Sequence, residues 1–220
     1  MEKLRAAVVI DYQNVHLTAA DLFRPAQPRH LSLVHPLHFA NQWVSARNAK
    51  QREGQRAAEL VRVNVYRGLP SPDHDSDAYA RNLAQRAEWM KDIRVVVTHR
   101  PLKYRYDYDA DGRKICDVHG VPIPKGTPVE KGIDVLCALA MVRETLASDV
   151  DLVALASQDT DLEPALDEAH DLRRAKIETV SWYHPKVRYT RELRAAPPRR
   201  LWNTRLGELA FERALDLNEY

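Results

Sequence analysis

Ala6-Ala-Val-Val-Ile10 runs without a polar residue into Asp11-Tyr-Gln-Asn14. A five-residue apolar run, largely β-branched, has no face to offer water, so it predicts a strand covered on both sides, the condition of a central strand in a parallel sheet. Asp151-Leu-Val-Ala-Leu-Ala156 is a second such run, and Ser157-Gln-Asp-Thr-Asp161 follows it. Leu60–Tyr66, Arg94–Thr98 and Ile177–Tyr183 read as three further strands.

Helical patterns lie between them. Pro36–Glu53 has Pro at its start and Gly54 at its end, and Asp73–Lys91 opens with capping acids. Ile133–Leu146 has Val135, Leu139, Val142 and Leu146 at helical spacing and predicts a helix, in which Cys137 is expected to be a small buried thiol; Leu162–Arg174 is the next helix. Leu17–Leu33, broken by Pro25 and Pro28, reads mostly as loop. Pro101–Pro128 interrupts the alternation: Lys103–Tyr108 alternates aromatic and charged residues, and Asp109-Ala-Asp-Gly112 is a turn signal, so an inserted β-hairpin is expected. Pro197-Pro-Arg-Arg200 reads as a basic linker, with a short terminal helix carrying Leu206, Leu209, Ala210 and Ala214. The domain is therefore placed at residues 1–196, with the insertion at about 101–128 and an appended tail at 197–220. Alternating strands and helices predict an α/β fold with a mostly parallel central sheet and helices on both faces.

The chain has 220 residues, with 33 Lys+Arg against 31 Asp+Glu, a formal charge of +2. That near balance excludes binding to nucleic acid by bulk charge alone but leaves room for a local basic patch. A hydrophobic fraction of 45% can build a core and argues against global disorder. Cys116 and Cys137 do not make a disulfide framework, and no stretch approaches the length of a membrane span, so a cytoplasmic protein without membrane association is expected.

In parallel sheets, ligands bind outside the carboxyl ends of the strands. The polar groups expected there are Asp11 and Asn14 after the first strand and Ser157, Asp159 and Asp161 after the 151–156 strand. Glu130-Lys-Gly-Ile-Asp134 opens the helix that leads into that strand. Carboxylates converging on one point need a positive partner, and oxygen donors without a His or Cys cluster select Mg²⁺ or Mn²⁺. Metal-assisted phosphodiester hydrolysis is the chemistry such a site can perform. Asp11 could equally cap a turn, Asp134 could serve the helix dipole, and Asp161 could be the cap of the following helix with Asp159 as the ligand. Ser157 is expected to orient rather than attack, since no paired His is present. Around the rim, Lys131 and Arg67 are candidates for phosphate contacts, and Tyr104 and Tyr106 for base stacking. Packing and ordinary salt bridges explain these four as well.

Asp11-x-x-Asn14, Lys131-Gly-Ile-Asp134 and Ser157-x-Asp159-x-Asp161, in this order, resemble the NYN-domain family of PIN-like nucleases over roughly Ala6 to Tyr183. The resemblance implies a PIN-like three-layer α/β/α fold and ribonuclease activity on RNA, single-stranded RNA being the expected form. It also implies a Mg²⁺ or Mn²⁺ cofactor and an acidic site of Asp11, Asp134, Asp159 and Asp161, supported by Asn14 and Ser157. The chain departs from the family pattern at Gln158, where Gly is frequent, and at Ala140, where a second helical Asp is frequent; a non-catalytic RNA-binding module is the alternative. A haloacid-dehalogenase-type phosphatase also begins with a strand and Asp, but it needs an acid where Gln13 stands. The hairpin and tail offer surfaces for a homodimer, and a monomer is equally allowed.

Overall fold

A computed structural model describes residues 2–187 and 190–220. Among them are six strands, β1 (Leu4–Asp11), β2 (Ala58–Leu69), β3 (Val95–Pro101), β4 (Leu152–Ala156), β5 (Lys176–Trp182) and β6 (Trp202–Leu206). The α-helices are α1 (Tyr12–Phe23), α2 (Pro36–Ala49), α3 (Ser76–Trp89), α4 (Ile133–Leu146), α5 (Glu163–Asp171) and α6 (Glu208–Ala214). The strands form one sheet in the order β3-β2-β1-β4-β5-β6, and every neighbouring pair is parallel.

Successive residues of β1 serve opposite layers, as the strand period of two requires. Ala6, Val8 and Ile10 belong to a core with Tyr12, Phe39, Trp43, Trp89, Trp182 and Phe211, which gathers α1, α2, α6 and the end of α3 on one face. Ala7 and Val9 belong to a second core with Cys137, Ala140, Met141 and Leu166, which holds α4 and α5 on the other. The result is a three-layer α/β/α fold. Strand order reverses at β1, which has β2 on one side and β4 on the other, so the crevice beyond the ends of β1 and β4 is the topological switch point.

Three expectations need correction. Residues Leu17–Phe23 are not loop but the rest of α1, whose Tyr12, Val15, Ala19 and Ala20 are buried at helical spacing; the prolines beyond it obscured the period. The 197–220 tail is not an appendage: Trp202–Leu206 adds β6 to the sheet, and Leu206, placed above in the terminal helix, lies in that strand. In α4 the row Val135, Leu139 and Leu146 points outward, at 59%, 58% and 55% exposure, while Cys137, Ala140 and Met141 face the sheet. Small residues let the helix sit close, so the sheet takes that face rather than the bulkier one.

The insertion is also not one hairpin. Lys103 pairs with Val129 and Tyr106 with Pro124 at its base, and beyond them the chain makes two turns, closed by Tyr108 with Lys114 and Cys116 with Pro122. Asp109 and Asp117 build the turns alike: each Oδ1 accepts two backbone N–H groups, from Asp111 and Arg113 in one and from His119 and Val121 in the other.

Candidate functional site

Asp11 is the last residue of β1 and the N-cap of α1, accepting the Asn14 N–H at 3.3 Å on Oδ1. Its Oδ2 accepts the Ser157 hydroxyl at 3.0 Å, and Ser157 Oγ in turn accepts the Asp159 N–H at 3.1 Å. Asn14 Oδ1 accepts the Gln158 N–H at 2.8 Å. The ends of β1 and β4 are thus tied by two side chains, Asn14 and Ser157. Gly132, at φ 80°, turns the chain into α4 so that Asp134 opens the helix at the same edge.

Asp11, Glu130, Asp134 and Asp159 line one open cleft of about 460 Å³, with Gln13 and Asn14 between them and Asp21 at its margin. Asp21 is paired with Arg29; none of the other four acids takes part in an ion pair among the described residues. Asp11 is only 4% exposed, and burial pushes its carboxyl up to about 6 against the hydrogen bonds from Ser157 and Asn14, with the charges of Asp134 and Asp159 acting in the same direction. Burial likewise lifts Glu130 to about 6 and raises Asp134, the latter also under the charges of Asp159 and Asp161.

The acids share a cleft rather than a point. Among the described residues no three His, Cys, Asp or Glu side chains stand close enough to hold an ion together. A ready-made cage is therefore not what these residues build. Mg²⁺ needs none: it keeps several waters and is often held by one or two carboxylates, so the oxygen-only donor set still fits it.

Asp161 does not line the cleft; it is exposed, and its N–H donates to Asp159 Oδ1 at 3.0 Å. Asp159 is therefore the cap, of a short 3₁₀ turn, and Asp161 does not cap the following helix as expected. Arg67 is folded inward over the rings of Tyr12 (4.6 Å) and Trp89 (5.5 Å) and donates to Gln85 at 2.7 Å. It lines a smaller hollow beside the cleft rather than the open rim. Tyr104 accepts the Ser71 N–H, and the Tyr106 hydroxyl bonds His74, so both brace the base of the insertion. Lys131 is exposed next to Glu130 and has no carboxylate partner among the described residues.

Glu130, which the sequence places at the cleft only as the start of its motif, and Gln13 are site residues to which the sequence assigns no role. With its amide turned to donate, Gln13 reaches the two Glu130 oxygens at 2.7 and 3.1 Å, and the Gly68 N–H donates to Glu130 Oε1. The signal was Gly68: a Cβ there would lie 2.6 Å from Glu130 Oε1 and 2.3 Å from Leu102 Cδ2. Gly68→Ala is expected to displace Glu130 and to destabilise the fold by about 1–3 kcal/mol. A thermal melt and a structure of the variant check it; an unmoved Glu130 would refute the close approach.

The fold and cleft define a three-layer α/β/α protein with an acidic pocket at its switch point. No protein-family model matches the sequence, and no curated protein matches it. Among solved structures, a protein of unknown function from Vibrio parahaemolyticus is similar at 20% identity with a TM-score of 0.46, over 82% of this chain and 84% of that one. No helix among the described residues is long and apolar enough to cross a membrane.

Proposed function

We propose that the chain is a divalent-metal-dependent ribonuclease of the NYN type that hydrolyses single-stranded RNA in the cleft between β1 and β4. The observation that supports this most is the sharing of one cleft at the switch point by Asp11, Glu130, Asp134 and Asp159, whose described lining includes no basic side chain. Asp11 and Asp159 would be the principal holders of Mg²⁺ or Mn²⁺: Ser157 hydrogen-bonds the Asp11 carboxylate and the Asp159 backbone N–H, which ties the two residues together at the strand ends; Asp134 lines the same cleft. When bound, the ion supplies charge stabilisation at the phosphate and acidifies attacking water. Glu130, raised to about 6, can take and release a proton near neutral pH. Asn14 keeps the β4 loop seated on α1. Lys131 stands free at the edge as a phosphate contact.

Cleavage of unstructured RNA with Mg²⁺ or Mn²⁺ tests this. Asp11→Asn and Asp159→Asn are each expected to lower the rate by roughly 100-fold or more. Equal cleavage by all three proteins would sink the assignment. The second reading, a binding module without turnover, draws on the spread of the acids and on Ala140, buried against the sheet where a further acid would stand. It expects RNA binding that survives chelation and no product with either metal.

A further inference from the structure

A second hollow, of about 510 Å³, opens at the opposite edge of the sheet from the acidic cleft, between the C-terminal end of α5 and the first residues of β5 and β6. Its lining includes His170, Arg173, Arg174, Lys176, Arg200 and Trp202. Lys176 is paired with Glu178 at 2.7 Å, but Arg173, Arg174 and Arg200 have no carboxylate partner among the described residues. The acids nearby are engaged: Arg199 holds both Asp171 and Asp167. Trp202 is 43% exposed, an open aromatic face in a ring of cations. Arg173 occupies this position at φ 51°, just past the end of α5, where Gly is the residue that fits without strain. A basic side chain stands there against backbone preference.

A segment carrying arginines unpaired among the described residues connects this hollow to the cleft. The segment 190–201 runs beside α5, tied to it at successive points. Gln158 donates to the Arg191 carbonyl at 2.7 Å, the Arg194 N–H to Glu163 at 3.0 Å, and the Ala196 N–H to Asp167 at 2.8 Å; Arg199 then clasps Asp171. The ties start beside Asp159 and end at the hollow, over a helix about 13 Å long. Arg191 and Arg194 are exposed along the way and have no carboxylate partner among the described residues. The use of Gln158 as the first tie also gives a role to that departure from the family pattern.

We propose that this hollow and segment are a second RNA-binding surface, which grips single-stranded RNA away from the scissile bond. Guanidinium forks suit phosphate oxygens, and an exposed indole suits a base face. The surface holds the strand by backbone charge at Arg173, Arg174 and Arg200 and by stacking on Trp202. Naming RNA as the ligand rests on the ribonuclease reading; the binding itself needs no metal.

The test uses the full chain, a fluorescently labelled unstructured oligoribonucleotide and a chelator, with anisotropy and tryptophan quenching as readouts. Arg174→Glu with Arg200→Glu is expected to weaken binding by roughly tenfold or more and to reduce the slope of log affinity on log salt by about 1.4, two phosphate contacts' worth. Trp202→Ala is expected to abolish most of the quenching and to weaken binding roughly tenfold. Arg174→Gln with Arg200→Gln, checked for folding by circular dichroism, guards against damage from charge reversal. Unchanged affinity in both arginine pairs would overturn the proposal. Cleavage by a protein whose binding ignores these variants would remove the second surface and leave the nuclease. Binding that depends on them, in a protein that never cleaves, would keep the surface and remove the nuclease.

Discussion

Glu178→Ala is expected to lower the thermal midpoint by about 6–20 °C, the consequence of an uncompensated buried charge costing about 3–5 kcal/mol in a chain of this size. Glu178 on β5 is 0% exposed and Arg47 on α2 is 1% exposed. The guanidinium donates to both carboxylate oxygens, at 2.9 and 3.1 Å, and Lys176 adds a third contact to Glu178 at 2.7 Å. The remaining acceptors near Arg47 are neutral, Asn48 Oδ1 at 3.3 Å and the Arg56 carbonyl at 3.4 Å. Removing Glu178 therefore strands a cation with weak substitutes, whereas removing Arg47 leaves Glu178 still facing Lys176. The asymmetry predicts that Glu178→Ala is the more damaging of the two. The double change Arg47→Met with Glu178→Leu is expected to recover most of the loss, because it deletes both charges and fills the space. Melts followed by circular dichroism decide it; a Glu178→Ala midpoint within about 2 °C of the parent would show that Arg47 finds other compensation.

The strands that carry the cleft were legible because β1 and β4 are covered on both faces, and continuous apolar runs have few other uses. β6 was not: Trp202-Asn-Thr-Arg-Leu206 is a short edge strand with Trp202 and Arg205 open to solvent, and Pro-Pro-Arg-Arg before it reads as the end of a domain. Helical period located α4 but not its inward face, since a sheet can prefer Ala140 and Cys137 to Leu139. At the site, Asp11, Asn14, Asp134, Ser157 and Asp159 followed from one rule, that strand ends and helix starts meet at one edge. The role of Glu130 escaped because what holds its side chain is the backbone of Gly68 on a distant strand. Arg67 was misplaced for the same reason: nothing near it in the chain announces that Tyr12 and Trp89 will fold it inward. Contacts between remote segments leave no local period to read.

Asp11→Asn is expected to make the metal-free protein more stable at neutral pH while removing its response to metal. The carboxyl is raised from 3.8 to about 6 chiefly by burial, so ionising it in the folded state is unfavourable. Such a shift corresponds to about 3 kcal/mol of difference between its two protonation states. The sign follows from proton counting. Between about pH 4 and pH 6 the folded protein keeps a proton that the unfolded chain has released, so this residue's contribution to stability falls as pH rises through that window and is flat above it. The Asn side chain can still accept the Asn14 N–H to cap α1 and, by donating its amide, meet Ser157, without the charge. In chelator near neutral pH the variant should melt about 4–8 °C above the parent, for a recovered 2 kcal/mol or so. Below about pH 4, where Asp11 is protonated in both states, the gain should vanish. Adding Mg²⁺ or Mn²⁺ should raise the parent's midpoint by binding linkage and leave the variant's unmoved. A variant that melts below the parent at neutral pH would show that the Asp11 charge is already well solvated. A variant that still gains stability from metal would show that the ion is held elsewhere in the cleft. A buried carboxylate whose charge costs the apo fold stability fits a site that gives up stability for function, which joins this stability measurement to the proposed chemistry of the cleft.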